Sequence, residues 1–251
     1  MFDYPIPLFF FSLFGLWLSA RFGALVYKRR HLKEDQRAEF NIIQGATLTL
    51  LSLIIGFSFS LAINRYEQRK NDEEAEANAI GTEYVRAGLL PAVDAAGVRG
   101  LLRKYLDLRI LFYRTREEGD LRRLNADTSR LQAEMWSAVE APAITRTTPV
   151  VALAVSGMND VLNSQGYTQA SYWNRIPVAA WSLMIAIAVC CHLLLGYGGF
   201  KVDAGNGLLF VMPLVVSTAF LLIADIDSPR RGFINVIPQN LISLAQSLPG
   251  Q

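Results

Sequence analysis

Four apolar stretches decide what this chain can fold into, because each is long enough to cross a lipid bilayer. A transmembrane helix needs about 20 mostly apolar residues at about 1.5 Å of rise each. The stretches that meet this requirement are 5–27, 42–63, 176–197 and 207–224. A soluble protein with four such stretches would need an unusually large core, so we predict four membrane-spanning helices.

A charged block of about 110 residues separates the second span from the third. Its first part, 65–80, consists of good helix formers without glycine or proline, so the second span is predicted to continue into water as one helix. Apolar residues then recur at spacings of three and four over 98–115, which predicts an amphipathic helix. Further helices are predicted over 121–139 and 150–162.

Glycine and proline mark the expected breaks between these helices. We expect a kink at Gly81, a break over 141–149, and an end to the last aqueous helix near 163–166. No strand pattern is present, so the predicted fold class is all-α, with four transmembrane helices and a helical aqueous domain between spans 2 and 3. The expected segments are 1–65 with spans 1 and 2, 66–175 with the aqueous domain, 176–227 with spans 3 and 4, and a C-terminal tail over 228–251.

Several function classes find no support in the residues. Net charge is +2 with acids and bases interleaved, so nucleic acid is not an expected partner. Cys190 and Cys191 are neighbours inside the third span, where packing is expected rather than a disulfide. His31 and His192 are isolated, so no metal ligand is assigned; for His192 we expect a neutral ring bonded to a hydroxyl or carbonyl. Without a phosphate-binding loop, a nucleophile elbow or paired intramembrane carboxylates, we predict no enzyme, no catalytic residue and no required cofactor.

The second span carries the residues that point to a function. It contains the run LIIGF at 53–57, followed eight positions after Phe57 by Arg65 and then by Tyr66. This stretch resembles the pore-lining helix of the bestrophin family, which has a Gly-Phe pair followed by an arginine and aromatic residues. The whole chain is similar to bacterial membrane proteins with a bestrophin-like domain, notably over 76–82 and 225–232.

The resemblance implies a pentameric, mostly anion-selective ion channel whose second helices line a narrow apolar neck. It places the neck at Thr49, Leu53 and Phe57, with Leu61 and Arg65 at the pore rim. It also implies a bacterial inner membrane, with the aqueous domain and both termini in the cytoplasm, and lipid, small inorganic anions and identical copies as partners. We therefore expect an oligomeric, chloride-preferring channel, although some bacterial members pass cations.

General physical principles, apart from the resemblance, also favour such a neck. Positions four residues apart lie on one face of a helix and about 6 Å apart along its axis. Apolar rings around a narrow pore close it by dewetting, and phenylalanine edges carry the positive rim of the ring quadrupole. Arg65 would raise the local concentration of anions. Thr49 is polar where a bulky apolar residue is usual, so that ring is expected to be wetter.

Other interpretations stay open. The same stripe fits ordinary helix packing, with Gly45, Gly56 and Ser60 allowing close approach. If the stripe serves only packing, the chain is a non-conducting scaffold or regulatory membrane protein. A transporter would need paired broken helices, which are not evident in the sequence. Basic residues near the membrane number six on either side, so the positive-inside rule gives no orientation.

Two acidic clusters outside the spans also have alternative uses. Asp225 and Asp227 follow the fourth span, where animal bestrophins have a calcium clasp; two carboxylates fall short of the roughly six to eight oxygens that calcium prefers. Pairing with Arg65, Arg230 or Arg231 is the favoured alternative. The run 72–76, DEEAE, is expected to form a solvated, ion-paired helix face, with a cation-collecting vestibule as the alternative.

Overall fold

The computed structural model describes residues 4–29, 34–198 and 208–249, and these ranges contain helices and no strands. The helices are α1 Pro5–Arg29, α2 Glu34–Arg86, α3 Ala92–Arg114, α4 Glu118–Thr145, α5 Pro149–Trp173, α6 Val178–Tyr197, α7 Leu208–Asp227 and α8 Gln239–Ser247. Within the described ranges, four helical segments are long and apolar enough to cross a membrane. The predicted all-α fold with four spans is confirmed. Arg30, His31, Lys33, Lys201 and the start of the fourth predicted span at Gly207 lie outside the described residues.

The chain forms two compact units. The first, here called the membrane unit, comprises Met1–Arg65 and Arg175–Asn235. The second, called the helical unit, comprises Tyr66–Asn174 and Val236–Gln251. Helix α2 contributes to both, since its 53 residues run through the boundary without interruption.

Small residues allow close helix packing in the membrane unit. At the crossing of α1 and α6, a Cβ added to Gly23 would collide with the backbone of Leu193, and one added to Gly196 would collide with the backbone of Ala20. Ala20 is itself completely buried. Such residues let the backbones of two membrane helices approach closely enough for dense van der Waals contact.

Helix α2 has the continuity that its sequence predicts, and it is not interrupted at Gly81. The helix passes through Gly81 and ends at Arg86, where the 3₁₀ turn Ala87–Leu89 and then Pro91 follow. The side chain of Leu244 from α8 lies 3.1 Å from the place that a Gly81 Cβ would occupy. Glycine at this position therefore makes room for α8.

The helical unit is built on the second part of α2 by α3, α4, α5 and α8. Its core is apolar and includes the fully buried side chains of Leu102, Tyr105, Phe112, Met135 and Met158. The C-terminal segment, expected as a tail, contributes α8, whose Leu241 is completely buried in the same core.

Two predicted helix ends are wrong. Helix α4 continues past the expected break at 141 and includes Pro142, and the chain leaves the helix only at Arg146. Helix α5 begins at Pro149, where the Thr148 side chain accepts a bond from the N–H of Val151, and runs beyond the polar residues 163–166. Both extensions bury side chains, since Pro142 at the end of α4 and Thr168 in α5 are buried.

Candidate functional site

The predicted neck residues lie on one open face of α2. Thr49, Leu53, Phe57 and Leu61 follow one another at four-residue spacing, so they stay on the same side of the helix. All four are exposed in the single chain, Leu53 to 52% and Phe57 to 62%. In the most apolar 18-residue window of α2, 17% of the residues are buried within the chain. In the corresponding window of α7, 50% are buried. This face consequently needs lipid or another protein copy to cover it.

The hydroxyl at the first neck position is engaged within its own helix. Thr49 Oγ1 donates to the carbonyl of Gly45 at 2.9 Å, and Thr47 and Ser52 make the same kind of bond to Ile43 and Leu48. A hydroxyl bonded in this way offers only its lone pairs and a methyl group to its surroundings. Thr49 is therefore less polar toward the neck face than its residue type suggests.

Arg65, the predicted rim residue, belongs to a cluster around Asp227. The Asp227 carboxylate accepts bonds from Arg65 Nη1 at 3.3 Å, Arg175 Nε at 3.1 Å and the backbone N–H of Ile176 at 3.2 Å. Asp227 is almost fully buried, whereas the side chains of Arg65 and Arg175 remain 19% and 27% exposed. One carboxylate thus joins the end of α7 to α2 and to the segment that precedes α6.

Asp225 has a different environment from Asp227. Its two carboxylate oxygens accept bonds from the backbone N–H groups of Phe233 at 2.7 Å and Ile234 at 2.8 Å. An added Cβ at Gly232 would collide with the backbone carbonyl of Asp225, so glycine is needed for this close turn. Asp225 therefore holds the segment after α7 against the end of that helix.

The surroundings of these two carboxylates do not fit a calcium ion. Calcium prefers six to eight oxygen ligands, while Asp225 and Asp227 are directed at N–H and guanidinium donors. Across the described ranges, no group of three or more His, Cys, Asp or Glu side chains is arranged to hold a metal.

The acidic run on α2 differs from the solvated helix face that the sequence predicts. Asp72, Glu73 and Glu76 are buried, and Glu74 is exposed. Glu73 accepts bonds from Asn240 Nδ2 at 2.6 Å and from the N–H of Leu241 at 3.0 Å, which places its carboxylate at the N-terminus of α8. The prediction fails because these side chains face other helices of the helical unit.

Glu76 is the centre of a buried polar network that sequence reasoning missed. It pairs with Arg109, and both side chains are completely buried. Tyr113 Oη and Thr168 Oγ1 also donate to Glu76, each at 3.2 Å. Burial by itself would lower the pKa of Arg109, but the charge and hydrogen bond of Glu76, together with Tyr105 and Tyr113, outweigh it and keep that pKa above its ordinary value. Burial and the same carboxylate raise the pKa of Tyr113.

Two polar side chains in the third span, His192 and Cys191, each lie beside a backbone carbonyl. His192 is almost fully buried, and its Nδ1 lies 2.7 Å from the carbonyl of Ala188, a contact with a neighbouring carbonyl of the kind expected from the sequence. Both cysteines are free thiols, and Cys191 Sγ lies 3.2 Å from the Thr47 carbonyl.

Comparison with known proteins agrees with this architecture. The Bestrophin-like domain family matches residues 15–241. A crystal structure of a bacterial bestrophin homologue from Klebsiella pneumoniae, phased with zinc, is similar with a TM-score of 0.62 and 16% identity, covering 97% of this chain and 99% of that one. A substituted form of that homologue gives a TM-score of 0.64 at 16% identity, with coverage of 96% and 98%. A further structure, described only as a membrane protein, gives 0.67 at 17% identity, with coverage of 96% and 99%. No curated protein sequence matches the chain.

The fold and the long open helix α2 define a membrane protein with four candidate spans. The family match covers most of its length, and the chain belongs to the bestrophin-like family. Bestrophins are known as ion channels.

Proposed function

We propose that the protein is an ion channel formed by several copies of the chain, with α2 lining its neck. The observation that carries this proposal is the exposed apolar face of α2 within a chain that belongs to a channel family. Leu53, Phe57 and Leu61 are between 49% and 62% exposed there. In a ring of copies these side chains stack as successive apolar rings, which close a narrow path by excluding water.

The assembly is proposed to be a homopentamer, as the resemblance to bestrophins implies. Glycines on α2 support close packing between copies. An added Cβ at Gly45 or Gly56 would meet no atom of another described segment of the same chain within 4 Å. Packing inside a single chain does not require glycine at these positions, whereas close approach of a neighbouring helix does.

The channel is proposed to prefer anions, chloride first among them. Arg65 is partly exposed at the end of the neck face, and its partner Asp227 is shared with Arg175 and the Ile176 N–H. Asp227 therefore offsets the Arg65 charge only in part. A Phe57 ring with its edge toward the pore would favour anions over cations, because the ring edge carries the positive part of the quadrupole. The proposed location is a bacterial inner membrane, with the helical unit and both termini in the cytoplasm.

The proposal is tested by recording single-channel currents from purified protein in a planar bilayer under a potassium chloride gradient. Discrete currents reversing near the chloride potential support the channel and its anion preference. Reversal near the potassium potential keeps the channel and rejects its anion preference. Silence from an intact oligomer rejects the channel and favours the alternative, a non-conducting scaffold or regulatory membrane protein.

A matched pair of variants tests the neck itself. Phe57→Ala removes a ring from the proposed constriction, so single-channel conductance should rise. Phe14→Ala is the control, because Phe14 on α1 is equally exposed at 62% but does not belong to the neck face. Equal conductance in the two variants would contradict the assignment of Phe57.

A further inference from the structure

Glu83 is a buried carboxyl at the contact between α2 and α5, remote in sequence from the proposed neck. Its side chain is completely buried. An added Cβ at Gly157 of α5 would collide with Glu83 Oε2, so the carboxyl lies directly against the α5 backbone. Four neighbouring side chains are also fully buried: Ile80 on α2, Ala87 in the 3₁₀ turn that follows α2, and Ala154 and Met158 near Gly157 on α5. The contact is thus apolar except for the Glu83 carboxyl and the Arg86 guanidinium, whose Nη1 lies 2.9 Å from the place of the same added Cβ.

The carboxyl oxygens of Glu83 have no hydrogen-bond partner among the described residues. The charged groups that face it are Arg86 on the same helix and Asp160 on α5. These two pair with each other at 3.6 Å and are partly exposed, at 32% and 59%. Arg86 is therefore directed to Asp160 and makes no hydrogen bond to Glu83.

An ionised carboxylate in this position is costly, because water has been removed and no donor replaces it. Burial raises the pKa of Glu83 to about 8; Arg86 opposes this shift, and the negative charge of Asp160 adds to it. The neutral acid has no such desolvation cost and can rest against the α5 backbone.

We propose that Glu83 is a proton-binding site that makes the packing of α5 on α2 sensitive to pH. With its proton, Glu83 packs against Gly157 and the contact is closed. Loss of the proton to solvent leaves a carboxylate that competes with Asp160 for Arg86 or draws water into the contact. Either response loosens α5 around Gly157.

The sign of the pH effect follows from proton binding. Between the ordinary value of 4.5 and about 8, the folded protein holds a proton that the unfolded chain has released. Stability therefore falls as pH rises through this window, and the unfolding equilibrium constant grows about tenfold per pH unit for one such proton. Above the upper limit both states are ionised and the dependence from this group ends.

The test is an infrared titration of the purified full-length protein with hydrogen exchange of α5 measured in parallel. The wild type should show a protonated carboxyl band that disappears near pH 8, and faster exchange of the amides around Gly157 above that pH. Glu83→Gln should lack both changes. Glu74→Gln is the control, since Glu74 is exposed on the same helix, and it should behave as the wild type does. A wild type without such a band above pH 6 would overturn the proposal. A Glu83→Gln variant that still shows the band would overturn it as well.

If Glu83→Gln fails to fold, a second variant still tests the proposed proton site. Asp160→Asn changes an exposed side chain, removes a negative charge near Glu83 and releases Arg86. The midpoint of the carboxyl band should then move to lower pH. An unchanged or higher midpoint would contradict the proposed arrangement. Because neither readout requires a current, failure here is distinguishable from failure of the channel proposal.

Discussion

At the scale of single residues, Glu76 shows what a buried charge does in this fold. Its carboxylate connects α2 with Arg109 and Tyr113 of α3 and with Thr168 of α5. Desolvating an acid and a base is expensive, so the pair need not add net stability over an apolar core. Removing one member, however, leaves the other charge buried without its counter-ion.

Glu76→Ala should therefore lower the free energy of unfolding by about 3–5 kcal/mol, because Arg109 loses its partner. Glu74→Ala on the same helix should change it by less than about 0.5 kcal/mol, since Glu74 is exposed. Denaturation of detergent-solubilised protein, followed by circular dichroism, measures both. Similar losses in the two variants would show that the network does not stabilise the helical unit.

The rim cluster makes a prediction about selectivity. Asp227→Asn removes the negative charge beside Arg65 and Arg175, so the reversal potential under a salt gradient should move toward that of chloride. Asp225→Asn is the matched control, because Asp225 is a buried carboxylate of the same unit that accepts from the backbone of Phe233 and Ile234. If the reversal potential shifts only in Asp225→Asn, or in neither variant, Arg65 does not contribute to ion selection.

Sequence reasoning reached some of these residues and not others. It named Arg65 as a candidate partner of Asp227, and the two lie 3.3 Å apart. It missed Arg109, because an arginine in an amphipathic helix gives no sign that its partner lies 33 positions away. It also treated Asp72, Glu73 and Glu76 as solvated, since a single helix does not reveal which of its faces other helices will cover.

At the scale of helices, long periodic segments were predictable and their ends were less so. Residues 163–166 look like a turn, yet Ser164 Oγ donates to the Val161 carbonyl and Thr168 Oγ1 to that of Ser164. Ser164 is thus satisfied within the helix, and the Thr168 hydroxyl is shared between that carbonyl and Glu76. Thr168 and Tyr172 are buried further along the helix. Packing in the core therefore outweighs the local preference for a turn.

The short helix α8 depends on a capping carboxylate from another helix. Glu73 accepts bonds from Asn240 and from the N–H of Leu241 in the first turn of α8. A negative charge there satisfies free N–H groups and interacts favourably with the helix dipole.

Glu73→Ala should destabilise α8 by about 1 kcal/mol, the usual cost of losing a helix N-cap. Hydrogen exchange of residues 239–247 should accelerate about fivefold, since 1 kcal/mol corresponds to that factor at room temperature. Glu67→Ala, an exposed position on α2, provides the comparison. Unchanged exchange in Glu73→Ala would mean that apolar packing of Leu241 holds α8 without the cap.

At the scale of the whole molecule, apolar surface is unevenly distributed among the spans. In α7, 50% of the most apolar window is buried within the chain, and in α2 the share is 17%. The four spans were predictable because about 20 apolar residues suffice to identify each one. Ion selectivity and the number of copies were not predictable in the same way, since both depend on surfaces that several chains create together.

Gly56 offers a direct test of that assembly. In one chain an added Cβ at this position meets nothing within 4 Å, so Gly56→Leu should leave the fold of the single chain intact. If neighbouring copies approach α2 here, the larger side chain should weaken the oligomer, and native mass spectrometry should show dissociation to monomers. Gly15→Leu on α1 is the control, because Gly15 is also in an apolar span with nothing within 4 Å. An oligomer that survives Gly56→Leu with unchanged mass would show that the contacts between copies lie elsewhere than at Gly56.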